Sequence, residues 1–244
     1  IRARYNFKTD TICIDGKTSR GTAKVGRGLN VVSAFSTELG IVLGQAKASG
    51  TGNAEHSAAM DLLKFINIEG LVIVGDAGIG RKSFCEEIVS KKADYIFPVK
   101  GNQKRELAIL EELFKKDKTK ELRLGELGHA RGEIRSCRVL KKSKFSKKHP
   151  LLLEFKNIQT IGKIVYERVE KERGFLTQKK KSGMNVEYKK LTDEFRKTTQ
   201  VRYFVSSLKL TASDLLEKSK LQWAIENQLH WVLDVSMGED ANRV

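Results

Sequence analysis

A short apolar run closed by Gly-Asp, "LVIVGDAG" at 71–78, places the tightest limit on the fold. Continuous rather than alternating hydrophobicity over so few residues marks a strand buried on both faces. Such strands belong to parallel or mixed sheets covered by helices. The flanking segments agree. "NAEHSAAMDLLKFI" (53–66) sets Ala59, Leu62, Leu63 and Ile66 on one helical face, with Asn53 as N-cap. Downstream come a helix, "RKSFCEEIVSKK" (81–92), a strand, "ADYIFPVKGN" (93–102), with Pro98 near its end, and a helix, "QKRELAILEELFKK" (103–116). Upstream, "TICIDG", "GLNVVSAFS" (28–36) and "GIVLGQAKA" (40–48) read as three strands, with turn residues such as Glu38-Leu39-Gly40 between them. Three strands followed by alternating helices and strands predict an α/β domain opening on an antiparallel meander.

The pattern changes after residue 120. "EIRSCRVL", "IQTIGKIVYERVE" and "RYFVSSL" are strand-like pieces separated by basic, turn-rich stretches, and Leu151–Phe155 fits no element. The chain then returns to helix in "ASDLLEKSKLQWAIENQLHWVLDVSM". The expected organisation is a first core segment over 1–120, a β-rich insertion over 121–210 and a helical segment over 211–244 that completes the core.

Forty-six Lys+Arg stand against thirty Asp+Glu, a net charge of +16 over 244 residues. The excess is clustered in "KKSKFSKK" (141–148), "KKK" (179–181) and the series Lys17, Arg20, Lys24 and Arg27. Such a surface favours polyanions, nucleic acid above all. No apolar run approaches the ~20 residues that span a bilayer, and the polar, basic opening has no apolar core of a signal peptide. Without an initiator Met, it reads as a fragment or processed product. Cys13, Cys85 and Cys137 are far apart and form no CxxC or Cys/His zinc pattern, so they read as thiols of a cytosolic protein.

Two carboxylates follow strands. Asp15-Gly16 is a strong hairpin signal, so Asp15 is either a turn residue or an acid held at a strand end. Asp76 is either a turn or cap residue of "GDAGIG", or the same kind of acid on the central strand. Ligands gather beyond the carboxyl ends of strands in open α/β sheets, and rigidly held carboxylates suit a hard divalent cation. In "LQWAIENQLHWVLD", Leu221, Ile225, Leu229 and Val232 form an apolar face, while Gln222, Glu226, His230 and Asp234 recur at spacing four on another stripe. That stripe is either a solvated face or a source of a third acid, Glu226. Three carboxylates at one site repel one another, and a divalent metal relieves the repulsion. Trp223 and Trp231 are open to base stacking, though packing is the commoner fate of a helix Trp. "GDAGIGRKS" (75–83) resembles a nucleotide-binding P-loop, but Arg81 sets Lys82 and Ser83 one place late, about 100° around the helix.

Two Asp and one Glu on a meander-plus-α/β scaffold is the ribonuclease H-like arrangement. The blocks "IDGKTSRG", "VSAFSTELGIVLGQ", "VGDAG", "DYIFPVKGNQ", "HARGEIRSCRVL", "YFVSSLKL" and "WAIENQLHWVLDVSMGEDANR" carry a narrower likeness. In this order they resemble bacterial insertion-sequence DDE transposases, in the branch that includes the H-repeat-associated proteins of Rhs elements. The resemblance implies a ribonuclease H-like mixed sheet with flanking helices and a β-rich insertion before the catalytic helix. It implies metal-dependent DNA cleavage and strand transfer at the element's ends. Asp15, Asp76 and Glu226 would be both catalytic residues and ligands of two Mg²⁺ or Mn²⁺ ions, with Asp15 bridging the pair.

Lys17, Arg20, Lys100, Asn102, Arg131 and Arg135 are then candidates to hold DNA phosphates. His129 is expected near DNA or the pocket, or as a structural histidine of the insertion. Implied partners are double-stranded DNA and a second copy of the chain, in the bacterial cytoplasm, with no membrane. The alternative is a truncated, catalytically inactive remnant that only binds DNA, because the family's N-terminal helical segment and a final helix are not seen. Ala130 and Gly132 in "HARG" depart from the family pattern. So do Gln222 and Leu233, which stand where some relatives carry Arg and Lys.

Overall fold

The computed structural model describes residues 11–19, 28–50, 52–128, 131–171 and 195–238. Nine strands form one mixed sheet: β1 Thr11–Ser19, β2 Leu29–Ser36, β3 Ile41–Lys47, β4 Val72–Gly75, β5 Asp94–Val99, β6 Leu122–Gly128, β7 Arg131–Lys141, β8 Thr160–Lys171 and β9 Phe195–Ser206. Their spatial order is β3-β2-β1-β4-β5-β9-β8-β7-β6. The helices are α1 Ala54–Phe65, α2 Lys82–Ser90, α3 Lys104–Lys116, the single turn α4 Pro150–Leu153, and α5 Ala212–Leu221.

The first three strands pair antiparallel, and β4 and β5 then add parallel to β1. The other edge of β5 is taken by β9, which runs antiparallel to it. From there β8, β7 and β6 extend the sheet as an antiparallel meander. The predicted α/β architecture is therefore present, and the β-rich stretch continues the same sheet.

Strand periodicity divides the core between two faces. Ile12 and Ile14 of β1, with Ile73 of β4, pack on one side against Ala59, Leu62 and Leu63 of α1 and Phe84, Cys85 and Ile88 of α2. Cys13, Val72, Val74 and Ile96 face the other side, where Leu215 and Leu216 of α5 and Ile225 cover them. All four residues of β4 are consequently buried, the property its unbroken apolar run predicted. The three cysteines are buried thiols. Among the described residues no helix is long and apolar enough to cross a membrane.

Several local expectations change. β1 does not turn at Asp15-Gly16: it runs on to Ser19, pairing Asp15 with Ser33 and Gly16 with Val32. A partner strand is available on that edge, so the ladder overrides the Asp-Gly turn preference. Asn53 makes no side-chain cap, and its carbonyl instead accepts the Ser57 N–H. Leu151–Phe155 overlaps α4, whose first residue is Pro150; Leu152 within the turn and Phe155 just after it are buried. β6 gave no clear strand signal because it is a largely exposed edge with Gly125 at its middle.

Candidate active site

The register of β1 and β4 builds the site. Their parallel pairing ends with Ile14 opposite Gly75, so Asp76, the first residue after β4, stands beside Asp15, which lies within β1 one residue past the end of the shared ladder. Gly75 permits this approach, because a Cβ there would lie 2.6 Å from the carbonyl oxygen of Ile14. The sheet thus supplies two acids about one strand spacing apart, ~4.8 Å.

Asp76 opens a tight turn in which its carbonyl accepts the N–H groups of Ile79 (3.1 Å) and Gly80 (2.9 Å). The "VKGNQ" block backs this turn. Lys100 Nζ lies 2.5 Å from Asp76 Oδ1, and Asn102 Nδ2 donates to the Ala77 carbonyl at 2.7 Å. From the other side, His56 of α1 places Nδ1 3.1 Å from the Ile79 carbonyl and Nε2 3.1 Å from Ser83 Oγ. Burial lowers the imidazole's pKa, so the neutral ring donates from Nδ1 and accepts from Ser83. Burial works against the charge of Asp76, but Lys100 and the N–H groups of Ala77 and Gly78 outweigh it and hold this carboxyl below the usual range.

Asp15 is the opposite case. Burial, the largest effect, pushes its carboxyl up to about 7; the Gly16 N–H opposes the rise, and the charges of Glu226, Asp76 and Glu55 add to it. Two neighbouring acids with opposed shifts form a polarised pair, the pattern expected where charge is held for chemistry or for a cation.

The third acid arrives on the terminal helix. α5 is started by a capping box in which Thr211 Oγ1 accepts the Asp214 N–H and the Asp214 carboxylate accepts the Thr211 N–H. After a turn at Gln222-Trp223 the backbone continues as π-helix over Ile225–His230 and Val232–Ser236, with the Met237 N–H bonded to the Val232 carbonyl. Wide helical turns of this kind are uncommon and concentrate at functional sites.

The predicted polar stripe faces β1. His230 Nδ1 is 3.7 Å from Asp15 Oδ2, and Asp234 Oδ1 is 2.6 Å from Lys17 Nζ. Glu226 is exposed and close enough for its charge to act on Asp15. Among the described residues no three His, Cys, Asp or Glu side chains are gathered tightly enough to hold one metal ion.

The predicted phosphate contacts separate. Lys100 stands beside the carboxylates, 53% exposed. Lys17 is only 11% exposed and bound to Asp234. Asn102 spends its amide on the Asp76 turn. Arg135, on β7, lies between Glu133 (2.8 Å) and Glu126 (3.0 Å). Arg20, His129 and the side chain of Arg131 lie outside the described residues. Trp223 packs with Tyr166 and Arg202, while Trp231 is exposed.

Glu55, in the first turn of α1, was not anticipated. Its carboxylate accepts Asn30 Nδ2 at 2.9 Å and lies against Gly16, where a Cβ would meet it at 2.9 Å. Only the packing of α1 over the meander brings it to Asp15, and no local pattern signals that.

Residues 6–244 match the family described as the transposase DDE domain. The chain belongs to that family. The DDE domain is 31% identical to a protein of Escherichia coli O157:H7 provisionally named the transposase YncI, over 96% of this chain and 56% of that one. It is 33% identical to the H repeat-associated protein YhhI of E. coli strain K12, also provisionally named a transposase, over 95% and 57% respectively. The chain thus spans little more than half the length of these relatives. A solved structure of a piggyBac transposase synaptic complex with hairpin DNA is 8% identical, with a TM-score of 0.45 over 91% of this chain and 39% of that one, a likeness too loose to argue from.

Proposed function

We propose that this chain is the catalytic part of a DDE transposase that cleaves double-stranded DNA at insertion-sequence ends and joins it to a target. The observation that carries the reading is the β1–β4 register, which sets Asp15 and Asp76 side by side with the charge of Glu226 acting on Asp15. The order β3-β2-β1-β4-β5, three antiparallel strands and then two parallel ones, supports a ribonuclease H-like core within the larger sheet.

In the chemistry of its oxygen donors, though not in the present spacing of the described side chains, the set suits the metals that the family implies. Three carboxylates offer hard oxygen ligands; burial is the main cause of the raised pKa of Asp15, the charges of Glu226 and Asp76 add to it, and a divalent cation would offset both. Asp15, Asp76 and Glu226 would hold two Mg²⁺ or Mn²⁺ ions, which polarise the scissile phosphate and activate the attacking hydroxyl when bound. Lys100 neutralises Asp76 and, once released from it, is exposed enough to take a DNA phosphate. Asn102 and His56 hold the turn that aims Asp76. DNA ends brought together for transfer favour a homodimer on DNA.

The test is nicking of a supercoiled plasmid. Wild type should nick with Mg²⁺ or Mn²⁺ and Asp76→Asn should not; equal nicking by a folded Asp76→Asn protein would remove Asp76 from the chemistry.

A further inference from the structure

Three residues of β1 at spacing two, Cys13, Asp15 and Lys17, each meet the terminal helical segment. Cys13 Sγ donates to the Leu221 carbonyl at 2.7 Å, Asp15 faces His230 and the charge of Glu226, and Lys17 pairs with Asp234 at 2.6 Å. The segment therefore lies lengthwise along one face of β1, over a rise of ~13 Å from Cys13 to Lys17. Glu226 sits between the two ends of this bracket.

The apolar grip covers only the first part of the segment. Ala224, Ile225 and Leu229 pack into the core, whereas Trp231, Val235 and Met237 are 57%, 60% and 72% exposed. Beyond Leu229, His230 and Asp234 make polar contacts with β1. Lys17 is too enclosed, at 11% exposure, for a phosphate to reach it without first breaking its pair.

We propose that Lys17 and Asp234 form a positioning clamp, with His230 against Asp15, that registers the terminal helix on β1 and so sets the distance from Glu226 to Asp15. The purpose of the clamp rests on the proposed metal-dependent reading; its existence does not. Opposite charges at these two positions are sufficient for it, so exchanging them should preserve it.

The experiment compares Lys17→Glu, Asp234→Lys and the double exchange, with Lys17→Met as a neutral control. Metal-free amide exchange over residues 225–236 should be about tenfold faster in each single variant and return to the wild-type rate in the exchange. Unchanged rates in the singles, or no recovery in the exchange, would overturn the clamp. Mn²⁺ affinity by calorimetry should fall at least tenfold in the singles and recover in the exchange. Faster amide exchange with unaltered Mn²⁺ affinity would overturn the positioning role.

In Lys17→Met the salt dependence of DNA affinity should keep its slope. A loss of about one from that slope would make Lys17 a phosphate contact instead. If Asp15→Asn, Asp76→Asn and Glu226→Gln all leave Mn²⁺ binding intact, it is the proposed function that fails, and the amide exchange still decides the clamp.

Discussion

Asp15→Asn should stabilise the metal-free protein at neutral and mildly alkaline pH. In the folded chain the Asp15 carboxyl is pushed from its ordinary 3.8 up to about 7. It keeps its proton where the unfolded chain has already lost it, so between these values the folded state binds more protons and stability falls as pH rises. The stabilising proton is fully present below about pH 4 and lost through pH 7. A shift of roughly three units corresponds to about 4 kcal/mol at most, at ~1.4 kcal/mol per unit. Asp15 is 27% exposed, and its acidic neighbours can share the proton, so about half that is a sounder expectation, ~2 kcal/mol.

An uncharged amide of the same shape avoids this cost. For a domain of this size ~2 kcal/mol raises Tm by roughly 4–8 °C. Thermal melts in EDTA from pH 4.5 to 8.5 would measure it. The variant should melt above wild type at pH 8, with the two curves converging towards pH 4.5. A variant that melts at or below wild type at pH 8, or keeps the full wild-type pH slope, would refute the argument that Asp15 is held in a repulsive, desolvated position.

Gly75→Ala should drive β1 and β4 apart, because its Cβ would sit 2.6 Å from the Ile14 carbonyl oxygen, backbone that cannot rotate away. A cost of about 1–3 kcal/mol in urea unfolding is expected, with the loss of metal binding exceeding what the stability change explains. Lys100→Met removes the cation that offsets the burial of Asp76, so that carboxyl should titrate higher, read by NMR of the labelled side chain. In the same variant the log–log salt slope of DNA binding should fall by about one, and an unchanged slope would exclude Lys100 as a phosphate contact.

The elements that were legible from sequence are those whose burial follows their own periodicity. β4 is buried on both faces and its run is continuously apolar; α1 buries Ala59, Leu62 and Leu63 as its spacing requires. Where a neighbour decided the outcome, the sequence left the reading open. Asp15-Gly16 has turn chemistry, yet β2 continues alongside and draws the pair into the ladder. β6 lies at an exposed edge, where no buried face imposes alternation.

The site divides in the same way. Asp15 and Asp76 were visible because each follows an apolar run in the sequence, and the stripe of Glu226, His230 and Asp234 was visible as spacing. What the stripe touches was not. Lys17 is expected from sequence to meet phosphate, and its largely enclosed side chain pairs with Asp234; Glu55 reaches Asp15 only through the packing of α1 over the meander.

The most direct measurement is Mn²⁺ binding by calorimetry to wild type and to Asp15→Asn, Asp76→Asn and Glu226→Gln, each first shown to be folded. A shared site predicts one binding event in wild type that all three substitutions weaken, by tenfold or more. Binding that persists unchanged in any folded variant would contradict a site shared by the three carboxylates, and with it the proposed chemistry.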